Sequence, residues 1–133
     1  MIRFAIMDDL DILVKYDHHI SKDILINSIK LNNILIVEEN NTFIGWLRYN
    51  LFWDNTPFMN MLFILEPYRN KKHGKALVFK WEEHMKTLGY DKVLTSTFSN
   101  ENSKYFYEHL GYHNIGGFTL ENEPYEIIYY KSL

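Results

Sequence analysis

The sequence has no cysteine, and it contains no repeat, linker or low-complexity tract. Without cysteine the chain can form no disulfide framework and can offer no thiol as a nucleophile or metal ligand. Such a composition suits a reducing compartment, so we expect a cytoplasmic protein.

Long apolar runs are also missing. Met1 to Met7 is apolar apart from one arginine, but Asp8 and Asp9 follow at once. This run is far too short for a signal peptide or a membrane span, and no later run reaches membrane length. We therefore expect no membrane partner.

Positive charge is not in excess, because the formal net charge is -3 at pH 7. Non-specific binding to nucleic acid depends on phosphate neutralisation by many Lys and Arg side chains. The charge balance therefore predicts no nucleic-acid partner.

Apolar and aromatic residues are abundant. Of the 133 residues 47% are hydrophobic, and they include ten Tyr and nine Phe. Large rings supply much of the buried area of a small domain. We expect one globular domain over residues 1–133, because a chain of this length buries a substantial core but has no room for a second one.

The apolar periodicities and the capping residues predict eleven elements in the order β-α-α-β-β-β-α-β-α-β-β. The predicted strands are Ile2 to Ile6, Ile34 to Glu38, Thr42 to Phe52, Phe58 to Leu65, Lys92 to Phe98, His113 to Leu120 and Glu126 to Lys131. The helices are predicted after Asp8 or Asp9, after a Ser21 cap, from the basic loop to Gly89, and from an Asn100 cap to Leu110. Asn40 and Asn41 indicate a tight hairpin, since Asn tolerates a left-handed backbone.

The loop before the third helix is rich in positive charge. Residues 64–77 pass from an apolar strand through this loop into an amphipathic helix, whose first turn has unpaired N–H groups and the positive end of the helix dipole. Gly74 allows a close approach of the backbone to a ligand. The loop carries four cationic side chains, Arg69, Lys71, Lys72 and Lys75. A phosphate-binding loop and a solvated turn are both consistent with these residues alone.

Metal and hydrolase motifs are not apparent. The six histidines form no pair with a convincing ligand spacing, so no metal site is predicted. Neither a Ser-His-Asp arrangement nor a Walker loop is visible.

Two patterns in the right order resemble the GCN5-related N-acetyltransferase (GNAT) family. The family's acetyl-CoA loop, Arg/Gln-x-x-Gly-x-Gly/Ala, is matched by Arg69-Asn70-Lys71-Lys72-His73-Gly74. The second pattern, an Asn followed by Tyr-x-x-x-Gly-aromatic, is matched from Asn100 to Tyr112. The resemblance covers nearly the whole chain. It implies an α+β fold with α/β/α layers, in which four helices flank a mixed, mostly antiparallel sheet of about seven strands.

The resemblance also implies a cosubstrate, acetyl-CoA, and a place for it. Backbone groups of Leu62, Phe63 and Ile64 would bind the pantetheine arm, although these side chains are equally explained as core. The pyrophosphate would lie against the amides from Asn70 to Lys75, including those of Lys71, Lys72, His73 and Gly74. Lys72 replaces the first glycine of the pattern, and a left-handed conformation there would cost on the order of 1 kcal/mol.

By the same resemblance, Tyr107 would protonate the departing thiolate of coenzyme A as the amine attacks the thioester. A phenol with a pKa near ~10 stays protonated at neutral pH, as this role requires. Asn100 has two interpretations of equal weight, as a helix cap and, by the resemblance, as a hydrogen-bond partner of the pantetheine arm or the acetyl site.

No general base is evident, because the strand after the central helix offers only Thr95, Ser96 and Thr97. A water relay is the preferred interpretation. Carboxylates elsewhere are fallbacks, namely Asp54, Glu66, Glu121 and Glu123.

The acceptor would be a small-molecule or peptide amine. By family analogy it would lie between the opening helices, the Trp46 to Asn60 hairpin and the late strands. That region contains aromatic residues and carboxylates that could attract a cationic amine, although core and surface roles explain most of them equally well: Trp46, Tyr49, Phe52, Trp53, Phe58, Phe118, Asp54, Glu121, Glu123 and Glu126. A homodimer would suit the family.

The leading hypothesis is therefore an acetyl-CoA-dependent N-acetyltransferase. Its chief alternative is a catalytically silent acyl-CoA-binding or interaction module, and a basic-loop nucleotide-binding or nucleic-acid adaptor is the weakest.

Overall fold

Seven strands form one sheet in the computed structural model, which describes residues 1–133. In chain order they are β1 (Ile2–Phe4), β2 (Ile34–Glu39), β3 (Thr42–Phe52), β4 (Thr56–Ile64), β5 (Lys92–Phe98), β6 (His113–Thr119) and β7 (Tyr125–Ser132). Their order across the sheet is β1-β2-β3-β4-β5-β7-β6. The pair β4 and β5 is parallel, and every other neighbouring pair is antiparallel.

Four α-helices flank the sheet. They are α1 (Leu10–Tyr16), α2 (Lys22–Lys30), α3 (His73–Thr87) and α4 (Ser103–His109), and short 3-10 turns precede α1 and α3. The predicted order of elements and the predicted mixed, mostly antiparallel sheet are confirmed. None of the helices has both the length and the apolar character that a membrane crossing requires.

Two apolar clusters hold the layers together, one on each face of the sheet. On one face α3 buries Leu77, Trp81 and Met85 completely against the strands. On the other face α1 and α2 pack through Leu13 and Leu25 on residues of β2 and β3 that include Trp46. Burial of side chains of this size stabilises the fold by roughly 1.5–3 kcal/mol each.

Local sequence explains several of the connections. Asn40 and Asn41 have φ values of 51° and 62°, so the β2–β3 hairpin is the tight one predicted. The Ser21 hydroxyl accepts a hydrogen bond from the Ile24 amide at 3.3 Å and caps α2, as predicted. Gly89, with φ of 96°, follows the last turn of α3 and ends it.

The prediction that Asn100 caps α4 is wrong, because the helix begins at Ser103. The Ser99 amide donates a hydrogen bond to the Tyr125 carbonyl, which keeps the chain tied to β7 beyond the end of β5. A turn closed by the Glu101 amide and the Phe98 carbonyl then precedes the helix. Asn100 is exposed in this turn.

Candidate active site

The parallel strands β4 and β5 separate partway along their length. They pair only at Phe58 with Leu94 and at Met59 with Thr95. The pairing of β3 with β4 shifts by one residue at this point, which leaves Asn60 as the extra residue of a bulge. From Asn60 onward the edge of β4 that faces β5 has no strand partner, so a ligand can reach the backbone groups there that no side chain bonds.

A cavity of about 420 Å³ occupies this gap, and we call it the central cavity. Its walls include Leu62 from β4, Thr95 and Ser96 from β5, and Tyr107 from α4. A second pocket of about 660 Å³, the loop pocket, shares Leu62, Glu101 and Ser103 with it. The two spaces are therefore neighbours on a path from the basic loop to the hydroxyl of Tyr107.

The loop pocket ends at six consecutive unpaired amides. No N–H group from Asn70 to Lys75 donates to a backbone carbonyl, and the first backbone bond of α3 runs from Ala76 to Lys72. Asn70 and Lys72 both adopt left-handed conformations, with φ of 63° and 68°. Free N–H groups at the start of a helix, with the positive end of its dipole behind them, bind phosphate well.

All but one of the loop residues predicted to bind the cosubstrate line the loop pocket. The pocket is lined by Arg69, Asn70, Lys72, His73, Gly74 and Lys75, but the side chain of Lys71 is not part of its wall. Arg69 donates a hydrogen bond from Nε to the Ile64 carbonyl at 2.8 Å, and its guanidinium lies 5.0 Å from the centre of the Phe63 ring. Arg69 therefore holds the loop against the end of β4.

Tyr107 is almost fully buried, with 7% of its surface exposed, yet it forms part of the wall of the central cavity. Burial raises the pKa of its phenol to about 12, the nearby Thr95 hydroxyl lowers it in part, and the charge of Glu101 raises it. The phenol therefore carries its proton at neutral pH and can donate it into the cavity.

The three predicted β4 residues, Leu62, Phe63 and Ile64, all line the loop pocket. They pair with β3 on one side only, so the opposite backbone edge faces the gap. Asn100 lines neither the central cavity nor the loop pocket, and its contact with a pantetheine arm stays a prediction.

Sequence reasoning did not identify Glu126 as a proton acceptor. Because β7 lies next to β5, Glu126 reaches the central cavity, and its Oε1 accepts a hydrogen bond from the Ser96 hydroxyl at 2.7 Å. His19, from the connection between α1 and α2, also lines this cavity.

The signal that could have identified Glu126 is the sheet order, which brings together segments distant in sequence. The four carboxylates considered as fallback bases, Asp54, Glu66, Glu121 and Glu123, are exposed and line neither space. No group of three or more His, Asp or Glu side chains lies close enough together to hold a metal ion.

Comparisons with known proteins give a matching family and several similar folds. The sequence model of the acetyltransferase (GNAT) family matches residues 6–112. No curated protein matches the chain.

Several solved structures share the fold. An acetyltransferase of the GNAT family from Bacillus cereus ATCC 10987 superposes with a TM-score of 0.78 at 24% identity, covering 99% of this chain and 96% of that one. PaiA N-acetyltransferase from Thermoplasma acidophilum, in complex with coenzyme A, superposes with a TM-score of 0.78 at 19% identity, covering 100% of this chain and 98% of that one. YncA from Salmonella typhimurium, with its cofactor acetyl-CoA, superposes with a TM-score of 0.81 at 14% identity, covering 99% of this chain and 92% of that one.

Proposed function

Because this chain belongs to the acetyltransferase (GNAT) family, we propose that it transfers an acetyl group from acetyl-CoA directly to a primary amine. One observation carries the proposal: six free amides and an unpaired strand edge lead to a cavity that contains a buried, protonated phenol. Two proteins of similar fold hold coenzyme A or acetyl-CoA, which supports the choice of cosubstrate.

The cosubstrate would lie along the loop pocket and the central cavity. Its diphosphate accepts hydrogen bonds from the amides of Asn70 to Lys75, with Lys72 and Lys75 adding charge. The pantetheine arm follows the edge of β4 at residues 62–64, which has no strand partner on that side, although the Ile64 carbonyl already accepts a hydrogen bond from Arg69. The thioester then reaches the cavity at Tyr107.

In the transfer step, the lone pair of the neutral amine attacks the thioester carbonyl carbon. The new C–N bond forms, and the C–S bond breaks as the tetrahedral intermediate collapses. The nitrogen, positively charged after the attack, loses a proton to water to become the amide. Tyr107 donates its phenolic proton to the departing thiolate, and the phenolate recovers one from water. Since burial raises the pKa of Tyr107 to about 12, the proton-bearing form is the resident one throughout the neutral range.

An amine is mostly protonated at neutral pH, so it must lose a proton before it attacks. Two carboxylates, Glu101 and Glu126, line the central cavity together with Tyr107. Glu126 is the better situated to receive that proton, directly or through one water, because it is half-buried and held by Ser96, whereas Glu101 is exposed. The Ser96 hydroxyl donates a hydrogen bond to Oε1 of Glu126, and this bond does not involve Oε2. The sequence favoured a water relay, and we add Glu126 as the group on which that relay ends.

The test is release of free thiol from acetyl-CoA across a panel of primary amines, with Tyr107→Phe as the diagnostic variant. Loss of the hydroxyl should lower kcat by roughly 100-fold, the usual scale of one acid–base group, and should leave the dissociation constant of coenzyme A unchanged. Tyr105→Phe, on the same helix but 60% exposed, is the matched control.

Turnover that survives Tyr107→Phe intact would remove this phenol from the mechanism. If coenzyme A binds but no amine releases thiol, the chain is the silent acyl-CoA-binding module instead.

A further inference from the structure

A second cavity opens on the face of the sheet that carries α1 and α2, and we call it the apolar cavity. Its volume is about 820 Å³, within the range of small-molecule sites. The two helices pack over residues of β2, β3 and β4, so they leave the face of β5, β7 and β6 uncovered. Leu94 and Ser96 point to this side because they alternate with Val93, Thr95 and Thr97, which are buried toward the other face.

Aromatic and aliphatic side chains form most of the wall. The most prominent are Phe52, Trp53, Phe58, Leu94, Ile115 and Phe118. Phe118 is 47% exposed and Trp53 is 78% exposed, a large cost for rings of this size if nothing covers them.

The apolar cavity adjoins the central cavity. Asn60 and Ser96 line both spaces, and Ser96 donates its hydroxyl hydrogen bond to Glu126 at 2.7 Å. An amine held at Glu126 therefore has space for the rest of its molecule past Asn60 and Ser96, on the aromatic wall.

Charge in the apolar cavity disfavours a second cation. Lys92 is the charged residue of its wall, and the two amides there, Asn50 and Asn60, hydrogen-bond to each other at 2.7 Å. A second ammonium group would lose water against the rings and would find no carboxylate in this wall, whose charged residue, Lys92, already pairs with Asp91 at 3.1 Å.

From these contacts we infer that the acceptor is a monoamine with a flat apolar body, its amino group at Glu126 and its body in the apolar cavity. This inference rests on the proposed function and adds the class of substrate. The inference favours aryl-substituted monoamines as acceptors over small polar amines and over polyamines. Family membership alone does not distinguish these three classes.

The experiment compares phenethylamine, ethanolamine and spermidine as acceptors by kcat/KM for thiol release. Phenethylamine should exceed both by about tenfold, because burial of one ring contributes at least the 1.4 kcal/mol that corresponds to that factor. Phe118→Ala and Trp53→Ala should each reduce the preference several-fold. Leu88→Ala, which removes a 56% exposed apolar side chain just after α3, should leave it unchanged.

Binding is measured in parallel by calorimetry on protein saturated with coenzyme A, so that the result does not depend on turnover. Tighter binding of phenethylamine that Phe118→Ala weakens supports the inference even if no acetyl transfer occurs, in which case the proposed function alone fails. Turnover without any preference for phenethylamine, or a preference that both cavity variants retain, overturns the inference while the proposed function stands.

A second copy of the chain is the rival occupant of this surface. Sedimentation velocity of the wild type and Phe118→Ala at two concentrations decides between them. A dimer that Phe118→Ala dissociates, with amine selectivity unaltered, would assign the surface to self-association and overturn the inference.

Discussion

Lys72 holds a left-handed backbone conformation that glycine adopts at lower cost. Its φ is 68° and its ψ is 16°, directly before the first residue of α3. For a residue with a Cβ, such a conformation costs about 1 kcal/mol or slightly more. The loop accepts this cost because the conformation turns successive amides toward one pocket, where the lysine side chain adds charge.

Replacement of Lys72 by Gly should therefore raise the free energy of unfolding, measured by urea denaturation, by at most about 1 kcal/mol, because the relief of strain is partly offset by the greater freedom of glycine in the unfolded chain. Coenzyme A should still bind, with a dissociation constant weakened by less than about tenfold, because the backbone amides remain and one charge is lost. Lys71→Gly is the control, since Lys71 has no positive φ and its side chain lies outside the loop pocket. If both variants lose stability equally, the backbone of Lys72 is not strained.

Glu126 is the other residue on which the proposed chemistry depends. Glu126→Gln keeps the shape and an acceptor for the Ser96 hydroxyl but removes the site that takes a proton. We expect kcat/KM for the amine to fall by roughly 100-fold, while the affinity for coenzyme A is unchanged. Glu83→Gln, an exposed substitution on α3, has the same charge change and should have no effect. Equal activity of the two variants would mean that water alone carries the proton away.

At the scale of elements, Arg3 ties β1 to its surroundings. Its guanidinium lies 2.8 Å from Asp9 in the turn before α1 and 2.9 Å from Glu38 on β2. The hydrogen bond from Arg3 is the largest cause of a lowered pKa at Asp9, and likewise at Glu38. A carboxylate whose pKa is lower in the folded state contributes stability above its unfolded pKa and loses that stability as the pH falls.

Arg3→Ala should consequently be less stable than the wild type at neutral pH, and the difference should shrink as the pH falls from about 5 to about 2. Urea denaturation of both proteins at several pH values measures this difference. Lys92→Ala, which removes an exposed pair with Asp91 at 3.1 Å at the start of β5, separated from β1 by three strands of the sheet, serves as the control. A difference that stays constant down to the acid limit would show that Arg3 acts through packing rather than through its carboxylate partners.

Elements that depend on neighbouring residues were predictable from the sequence. The turn at Asn40 and Asn41, the Ser21 cap and the strand Lys92–Phe98 all follow from local chemistry, and the structure has each of them. The start of α4 was not predictable from the asparagine at position 100, because a bond from Ser99 to Tyr125 on β7 decides where the chain turns.

Some features of the candidate site likewise follow from local sequence, and others depend on long-range pairing of strands. The basic loop and the position of Tyr107 could be read from the sequence, since each belongs to one contiguous motif. The insertion of β7 between β5 and β6 could not, and it is this long-range pairing that brings Glu126 to Ser96. The bulge at Asn60 likewise depends on the register of β3 against β4.

At the scale of the whole molecule, the sheet consists of two parts joined by few bonds. Strands β1 to β4 form one part and β5 to β7 the other, and β4 meets β5 at only two residue pairs. A ligand that lies between them, with its diphosphate on the amides before α3, would link the two parts as well as supply the acetyl group. Cosubstrate binding should therefore stabilise this junction more than the rest of the sheet.

Hydrogen exchange with and without coenzyme A tests this expectation. The amides from Asn70 to Lys75 have no backbone acceptor and should exchange rapidly in the free protein, then slow markedly when the diphosphate accepts their hydrogen bonds. Amides of β4 in residues 62–64 that face β5 should also exchange more slowly. Amides of the β2–β3 pair should change only as the global stability changes, which is by about 2.7 kcal/mol when the coenzyme A concentration is 100 times its dissociation constant. ATP is the control ligand, because it carries phosphates but no arm to follow β4. Protection by coenzyme A that spares both the loop and the edge of β4 would mean that the cosubstrate binds elsewhere.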